Sequence, residues 1–185
     1  MIINECDDND IIGYNIYYAS GYDTELSFLT FTESTRYLHE HLPSFMGCYA
    51  VSAIDFSGLE SELSPVVCND NCPYFELPNV FTPNEDGYND NFTEYNDGSG
   101  SSIATDKCPR FIKHVEFSVY NRYGIPVYHS ESVDPDACWV EWNGINDNGQ
   151  KVSTGIYFYH AIVTYNVLDP ANESDNIKGW ISLLY

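Results

Sequence analysis

Apolar and polar positions alternate with a period of two along most of this chain. The apolar side chains of residues 11–19 occupy alternate positions, and residues 47–54 repeat the pattern. A period of two sends alternate side chains to opposite faces of an extended chain, so both segments are predicted to be half-buried β-strands. Four more strands are predicted at residues 111–120, 124–129, 155–166 and 177–185. No segment of ten or more residues has the periodicity of an amphipathic helix, so the predicted fold is all-β.

A hairpin is predicted in the first half of the chain. Residues 55–58 supply turn chemistry between the strand at 47–54 and a second strand at 61–68. Cys48 and Cys68 lie equally far from the centre of this turn. A disulfide across the base of the hairpin is therefore geometrically reasonable.

The six cysteines indicate an exported protein. Their number is even and their spacing matches no catalytic or four-ligand zinc motif, which favours disulfides. The sequence alone does not determine which cysteines pair with each other. The cysteines expected to form disulfides are Cys48, Cys68, Cys72 and Cys108. Disulfides form in oxidising compartments, so the protein is expected to be secreted or exposed at a cell surface. No signal peptide follows Met1, and we expect the chain to derive from a longer exported precursor.

Composition divides the chain into two modules. Residues 69–74 are polar and contain Pro73, which is typical of a junction between domains. A second polar run, residues 96–102, is rich in Gly and Ser and is interpreted as an exposed loop. The predicted architecture is two immunoglobulin-like β-sandwiches in tandem, formed by residues 1–72 and 73–185, the first of them incomplete.

The net charge excludes several classes of partner. The chain has 28 Asp and Glu against 7 Lys and Arg, a formal net charge of −21, and 16% aromatic residues. A polyanion would be repelled, so nucleic acid is not an expected partner, and an anionic membrane surface is disfavoured for the same reason. No apolar run approaches the length of a transmembrane segment. With this aromatic content the chain is expected to fold rather than to form a disordered acidic segment.

Two features are candidates for partner contact. The first is a basic stretch in an otherwise acidic molecule, formed by Lys107, Arg110, Lys113 and Arg122. It would suit either docking on an acidic partner or pairing with local carboxylates. The second is a row of tyrosines on one face of the strand at 155–166, which contains Tyr157, Tyr159 and Tyr165. Such a row is either an exposed contact surface or part of a two-sheet core, and the core is the commoner case.

The loop after residue 81 has the oxygen-rich composition of a calcium site. The candidate ligands surround Gly87 and are Thr82, Asn84, Asp86, Asn89 and Asp90. An EF-hand loop has Asp at its first position and a bidentate Glu at its twelfth, where this chain has Thr82 and Thr93. A hydrogen-bonded Asx-type turn is the alternative, and we prefer it. Calcium is the one cofactor that the sequence suggests.

Five separated segments resemble, in order, the gliding motility-associated C-terminal domain, which is the type B sorting domain of the type IX secretion system. They are Leu77–Asn91, Phe117–Gly124, Trp142–Gly144, Thr154–Tyr159 and Lys178–Leu184. The resemblance extends from about residue 75 to the end of the chain.

The sequence departs from the family pattern at two positions and resembles a second family upstream. Glu85 stands where the sorting domain usually has Gly, and Tyr123 stands where it usually has Trp. Neither change removes a chemically required group. Residues 13–18 and 47–55 resemble the later strands of a fibronectin type III module whose first two strands are absent.

The resemblance implies a non-enzymatic sorting signal. It implies recognition by the type IX translocon and by a PorP/SprF-type outer-membrane protein, followed by retention at the cell surface, with residues 1–72 as a spacer in an adhesin-like protein. A sorting signal is expected to be terminal, and the motif series runs to Tyr185. The alternative function is a calcium- or carbohydrate-binding module of a surface adhesin. Hydrolytic motifs such as Gly-x-Ser-x-Gly or His-Glu-x-x-His are absent from the sequence, which argues against an enzyme.

Overall fold

The computed structural model describes residues 10–21, 24–94, 109–134 and 139–185, and these residues form an all-β protein. The chain divides into two compact units, Met1–Asn71 and Cys72–Tyr185. The strands of the first unit are β1 (Ile11–Ala19), β2 (Ser27–Thr32), β3 (Gly47–Asp55) and β4 (Val67–Asn69). Those of the second are β5 (Val80–Phe81), β6 (Phe92–Thr93), β7 (Ile112–Tyr120), β8 (Pro126–Ser132), β9 (Glu141–Trp142), β10 (Gly155–Tyr165) and β11 (Ser174–Leu183), with a 3₁₀ turn at Pro170–Asn172.

The first unit contains one antiparallel sheet with the strand order β2-β1-β3-β4. The predicted hairpin after β3 is present, but its second strand is only three residues long. Serine hydroxyls replace the missing ladder partners, because Ser61 Oγ accepts the Ala53 amide at 2.9 Å and Ser64 Oγ accepts the Val51 amide at 3.1 Å. Pro65 follows and has no amide to donate, so regular pairing resumes only at β4.

Cys48 and Cys68 form a disulfide, as the predicted hairpin suggested. The two residues lie directly opposite each other on β3 and β4. The β3-β4 pair contains only three residue pairs, and the disulfide therefore ties the short β4 strand to the sheet covalently.

The second unit packs a five-stranded sheet against a small β6-β9 pair. The large sheet has the order β5-β11-β10-β7-β8, in which β5 is parallel to β11 and the other pairs are antiparallel. Alternate residues of β7, β10 and β11 point into the core. The fully buried large side chains include Phe81, Phe92, Phe117, Trp142, Ile181 and Leu183. Ring contacts such as Phe81 to Trp142, with centroids 5.3 Å apart, join the β6-β9 pair to the large sheet.

Gly179 makes room for an aromatic side chain in this core. It lies opposite Tyr159 in the β10-β11 ladder. A Cβ at position 179 would be 2.6 Å from atoms of the Tyr159 ring, which is shorter than any normal van der Waals contact. The glycine therefore allows the ring to lie flat on the neighbouring strand.

Candidate functional site

The oxygen-rich loop between β5 and β6 is organised by its own carboxylates. Asp90 accepts the amides of Glu85 at 2.7 Å and Gly87 at 2.8 Å. Asp86 Oδ1 accepts the Tyr88 amide at 2.8 Å. Three residues of the loop adopt positive φ angles, 66° at Glu85, 85° at Gly87 and 53° at Asn89. These contacts are those of an Asx-type turn, in which side-chain oxygens replace backbone acceptors.

The predicted calcium ligands lie together in this loop but bond mainly to one another and to its backbone. Asn84 Nδ2 donates to Asp86 Oδ2 at 3.0 Å, and the Thr82 amide donates to the Asn89 carbonyl at 2.8 Å. Among the described residues, no group of three or more His, Cys, Asp or Glu side chains is arranged to hold a metal ion. Calcium binding here stays a prediction.

A second loop, residues 143–152, lies beside the first. Asn146 Oδ1 accepts the amides of Asn148 at 3.0 Å and Gln150 at 2.9 Å, which closes a turn of the same type. Gly144 has a φ of 79°, and a Cβ there would be 3.1 Å from Leu183 Cδ1 and 3.4 Å from Pro83 Cγ. The second loop therefore packs directly against the first. We call the two loops together the loop end of the second unit.

Two clefts open at the loop end. One has a volume of about 460 Å³ and is lined by Pro83, Glu85, Gly87, Asp90, Asn91, Asn143, Ile145 and Lys151. The other has a volume of about 310 Å³ and is lined by Tyr128, Glu141, Asn143, Ile145, Asn146 and Asp147. Asn91 Nδ2 joins their walls by donating to Glu141 Oε1 at 2.8 Å. These carboxylates and amides are suited to hydrogen bonding with a polar partner.

The last residue of the chain is held at this loop end. The Tyr185 hydroxyl donates to the Val152 carbonyl at 2.9 Å, and Lys151 Nζ lies 3.6 Å from the centroid of the tyrosine ring. Burial, followed by the effect of Tyr157, raises the pKa of the Tyr185 hydroxyl above its usual value. The phenol is therefore neutral and able to donate this bond at neutral pH.

The structure corrects the interpretation of the tyrosine row as a contact surface. Tyr157 and Tyr159 are buried in the core of the second unit. Burial, followed by the charge of Glu76, raises the pKa of Tyr159. Burial, followed by the charge of Asp175, raises the pKa of Tyr165 to about 12. The row faces inward because Phe92 and Trp142 pack against it.

The opposite face of β10 and β11 is the exposed one. Phe158 and Trp180 lie directly opposite each other there and are 48% and 46% exposed. Val80 and Ile156, which flank Ser182 on the neighbouring strands, are exposed to a similar extent. We call Val80, Ile156, Phe158 and Trp180 the outer apolar patch. Contiguous exposed apolar side chains of this size are typical of an interaction surface.

The predicted basic stretch does not form one patch. Lys107 lies outside the described residues. Lys113 and Arg122 lie near opposite ends of β7, which places them more than about 20 Å apart along the strand. Lys113 Nζ is 3.3 Å from Glu173 Oε1, while Arg110 and Arg122 lie over the rings of Tyr74 and Tyr123. The local-pairing interpretation of these residues is therefore favoured over a shared docking site.

The other candidate cysteines give no second bridge among the described residues. Cys72 is exposed and forms no disulfide within that part of the chain. Cys108 lies outside it. The participation of these two cysteines in a disulfide stays a prediction.

Glu94 is a structurally important residue that the sequence analysis missed. Its side chain is buried, and its two carboxylate oxygens accept the amides of Trp139 and Val140, each at 2.9 Å. It thereby joins the end of β6 to the segment that enters β9. The sequence carried no signal for this role, because Glu94 falls in an acidic region where a carboxylate is expected to be solvated.

The comparison with protein families concerns the second unit. A family model described as CHU_C Type IX secretion signal domain matches residues 75–183. Comparison with curated proteins gives no match. Among solved structures, dimeric latent PorU from Porphyromonas gingivalis is similar, with 12% sequence identity and a TM-score of 0.35. That similarity covers 100% of this chain and 17% of the PorU chain, so this chain spans less than a fifth of that protein's length. No helix among the described residues is long and apolar enough to cross a membrane.

Proposed function

The chain belongs to the CHU_C family of type IX secretion signal domains, and we propose that the secretion machinery recognises its second unit as a folded domain. A domain of this family marks the protein that carries it for type IX secretion, so the protein is cargo that is secreted or displayed at the cell surface. The family match over residues 75–183 is the observation that carries the proposal. It includes every strand from β5 to β11, as expected if a folded surface rather than a short linear peptide is recognised.

We propose the type IX translocon and a PorP/SprF-type outer-membrane protein as the partners, with retention at the outer membrane. The recognition is proposed to be non-enzymatic. Residues 1–72 would serve as a fibronectin type III-like spacer, and the two units would be immunoglobulin-like sandwiches, the first of them incomplete. The support for a sandwich in the second unit is its five-stranded sheet, which packs against β6 and β9 over an aromatic core.

The outer apolar patch is the part of the second unit best suited to this recognition. Interfaces draw most of their binding energy from a few large side chains, with tryptophan among the most frequent. Phe158 and Trp180 form such a pair on a regular sheet, whose geometry is independent of flexible loops. None of the four residues of the patch is charged, so an apolar partner surface could pack on it without burying an unpaired charge.

The test is fusion of residues 73–185 to a periplasmic reporter in a bacterium that has a type IX system. We expect export of the reporter to the cell surface or medium. Retention in the periplasm, while an established sorting domain exports the same reporter, would refute the function.

A double variant, Phe158→Ser with Trp180→Ser, tests the proposed surface separately. Export should fall at least about tenfold, because two large apolar contacts are lost. The matched control is Tyr123→Ser with Val133→Ser, which removes two exposed apolar side chains elsewhere in the unit. Equal export by both double variants, with unchanged melting temperatures, would show that the patch is not the contact.

The two loop-end clefts favour a second candidate, a calcium- or carbohydrate-binding module. Carboxylates and amides line both clefts, and Tyr128 lies at the edge of the smaller one. In chelator-treated protein, added calcium should raise the melting temperature if calcium binds. The absence of a shift at millimolar calcium would dismiss the calcium form of this candidate.

A further inference from the structure

The second loop contains both Asn-Gly pairs of the chain, Asn143 with Gly144 and Asn148 with Gly149. An asparagine followed by glycine can modify itself, because the glycine nitrogen can attack the side-chain amide carbon and close a succinimide ring. Glycine favours this reaction, since it has no Cβ to obstruct the approach of its nitrogen. Both asparagines are exposed, so exposure does not distinguish the two pairs.

The Asn143 side chain is folded back over its own backbone. Its Oδ1 accepts the Ile145 amide at 3.2 Å, which is the hydrogen bond of an Asx turn. The ring closed by this bond contains Cγ of Asn143 and the nitrogen of Gly144, so it restrains the two atoms that would join. Restraint of this kind accelerates ring closure, because the side chain no longer has to search its rotamers.

The Ile145 amide is also placed to stabilise the transition state. Attack on Cγ of Asn143 moves negative charge onto Oδ1, and the Ile145 N–H already donates to that atom. A donor aimed at a developing oxyanion changes the rate by about 10²–10³ in enzyme active sites. The distance of 3.2 Å is at the long end of the normal range, so we expect a smaller effect here.

The two glycine nitrogens differ in their hydrogen bonds. The Gly144 amide donates to no acceptor within the described part of the chain, so its nitrogen is available for attack. The Gly149 amide donates to the Asn146 carbonyl at 2.8 Å and would have to break this bond first. The Asn148 side chain makes no hydrogen bond among the described residues, so its amide carbonyl has no donor to stabilise an oxyanion.

Three other asparagines form the same Asx hydrogen bond but are not followed by glycine. They are Asn84, Asn121 and Asn146, and the next residues are Glu85, Arg122 and Asp147. The side chains of these next residues obstruct the attacking nitrogen. Asn143 is therefore the asparagine that combines the Asx bond with a following glycine.

We propose that Asn143 is a self-modification site, at which the native fold converts the asparagine to an acidic residue through a succinimide. Hydroxide removes the Gly144 amide proton, and the nitrogen then bonds to Cγ of Asn143. The Cγ–Nδ2 bond breaks, and the leaving nitrogen takes a proton from water and departs as ammonia. Water opens the ring at the N–Cγ bond to give aspartate, or at the bond to the backbone carbonyl carbon to give isoaspartate. Water and hydroxide are the only co-reactants.

The product carries its new charge in a wall that the two loop-end clefts share, because Asn143 lines both of them. The charged residues of the two linings are Glu85, Asp90, Glu141, Asp147 and Lys151. An added carboxylate would make both clefts more repulsive to anions and more attractive to cations. The inference concerns the loop end alone and does not rest on the proposed function in secretion.

The test compares the two Asn-Gly pairs within one protein. The full chain is incubated at mildly alkaline pH, both folded and in concentrated urea, and its peptides are followed by mass spectrometry with fragmentation that separates aspartate from isoaspartate. In the folded chain we expect Asn143 to lose its amide at least about tenfold faster than Asn148 and to give both products. In urea the two pairs should react at similar rates, because the contacts around them are lost.

Two variants assign the charge change to its residue. Asn143→Gln should abolish the acidic species that ion-exchange chromatography resolves from the incubated folded protein, because ring closure from the longer side chain is slower. Asn148→Gln is the matched control and should leave that species unchanged. The proposal is overturned if the folded chain reacts at Asn148 as fast as at Asn143, if Asn143 does not react, or if the ratio of the two rates is the same in urea. Aspartate without isoaspartate at position 143 would also overturn it, since direct hydrolysis of the side chain gives aspartate alone.

Discussion

Replacement of the buried Glu94 by Gln is the sharpest test of how the second unit is held together. The wild-type carboxylate accepts one amide on each oxygen, from Trp139 and Val140. Glutamine has the same shape but one oxygen and one NH₂ group. One of the two backbone amides would therefore face a donor instead of an acceptor, in a position that water does not reach.

The expected loss of stability follows from these contacts. A hydrogen bond to a charged group contributes about 1.5–3 kcal/mol, and a buried amide left without an acceptor costs about 1–3 kcal/mol. The two terms overlap, because the unpaired amide belongs to the lost bond. We therefore expect Glu94→Gln to lower the free energy of unfolding of the second unit by about 2–4 kcal/mol.

Urea denaturation followed by tryptophan emission measures this loss. All three tryptophans, Trp139, Trp142 and Trp180, lie in the second unit, so their emission reports its unfolding selectively. The control is Glu85→Gln, which makes the same chemical change on an exposed side chain and should shift stability by less than about 0.5 kcal/mol. If the two variants unfold at the same urea concentration, and amide exchange at Trp139 and Val140 is unchanged, the carboxylate does not hold this junction.

Three further outcomes are expected. Gly179→Ala should destabilise the second unit by about 1–3 kcal/mol, because its Cβ would overlap the Tyr159 ring, whereas Ser182→Ala on the other face of β11 should not. Hydrogen bonds from Ser52, Tyr17 and Asn15 lower the pKa of Glu60 to about 2. The contribution of Glu60 to the free energy of unfolding should be complete above pH 4.5 and disappear as the pH falls toward 2. An NMR titration of the Glu60 carboxyl with a midpoint near 4.5 would contradict this. Removing the Cys48–Cys68 bond, whose cysteines are 20 residues apart, should cost the first unit about 3 kcal/mol in thermal or chemical unfolding, while Cys72→Ser should have no such effect.

The length of each strand decided whether the sequence could predict it. β1, β3, β7, β10 and β11 are nine or more residues long, and their alternation shows several full periods. β5, β6 and β9 contain two residues each, which is too short for any period to be recognised. These short strands nevertheless position Phe81, Phe92 and Trp142 in the core. Part of the core therefore depends on segments that carry no periodic signal.

The sequence predicted the local turn of the candidate site correctly, but it did not predict which distant residues the fold separates or brings together. The Asx-type turn at residues 82–91 follows from side chains that bond to neighbouring backbone, which a local sequence can specify. The distance between Lys113 and Arg122 is not set by local side-chain bonding. It is set by β7, an extended strand that holds the two residues near its opposite ends. The pairing of Lys113 with Glu173 joins residues 60 positions apart and has no local signature.

The sequence by itself determined that this protein is all-β, because a period of two is a property of each strand alone. It also carried the separated motifs of a type IX secretion signal domain, since their order along the chain needs no coordinates. Only the tertiary structure decided which face of β10 is exposed, because alternation divides residues between two faces without showing which one packs on Phe92 and Trp142. The same holds for the burial of Glu94, whose environment comes from amides 45 and 46 residues away.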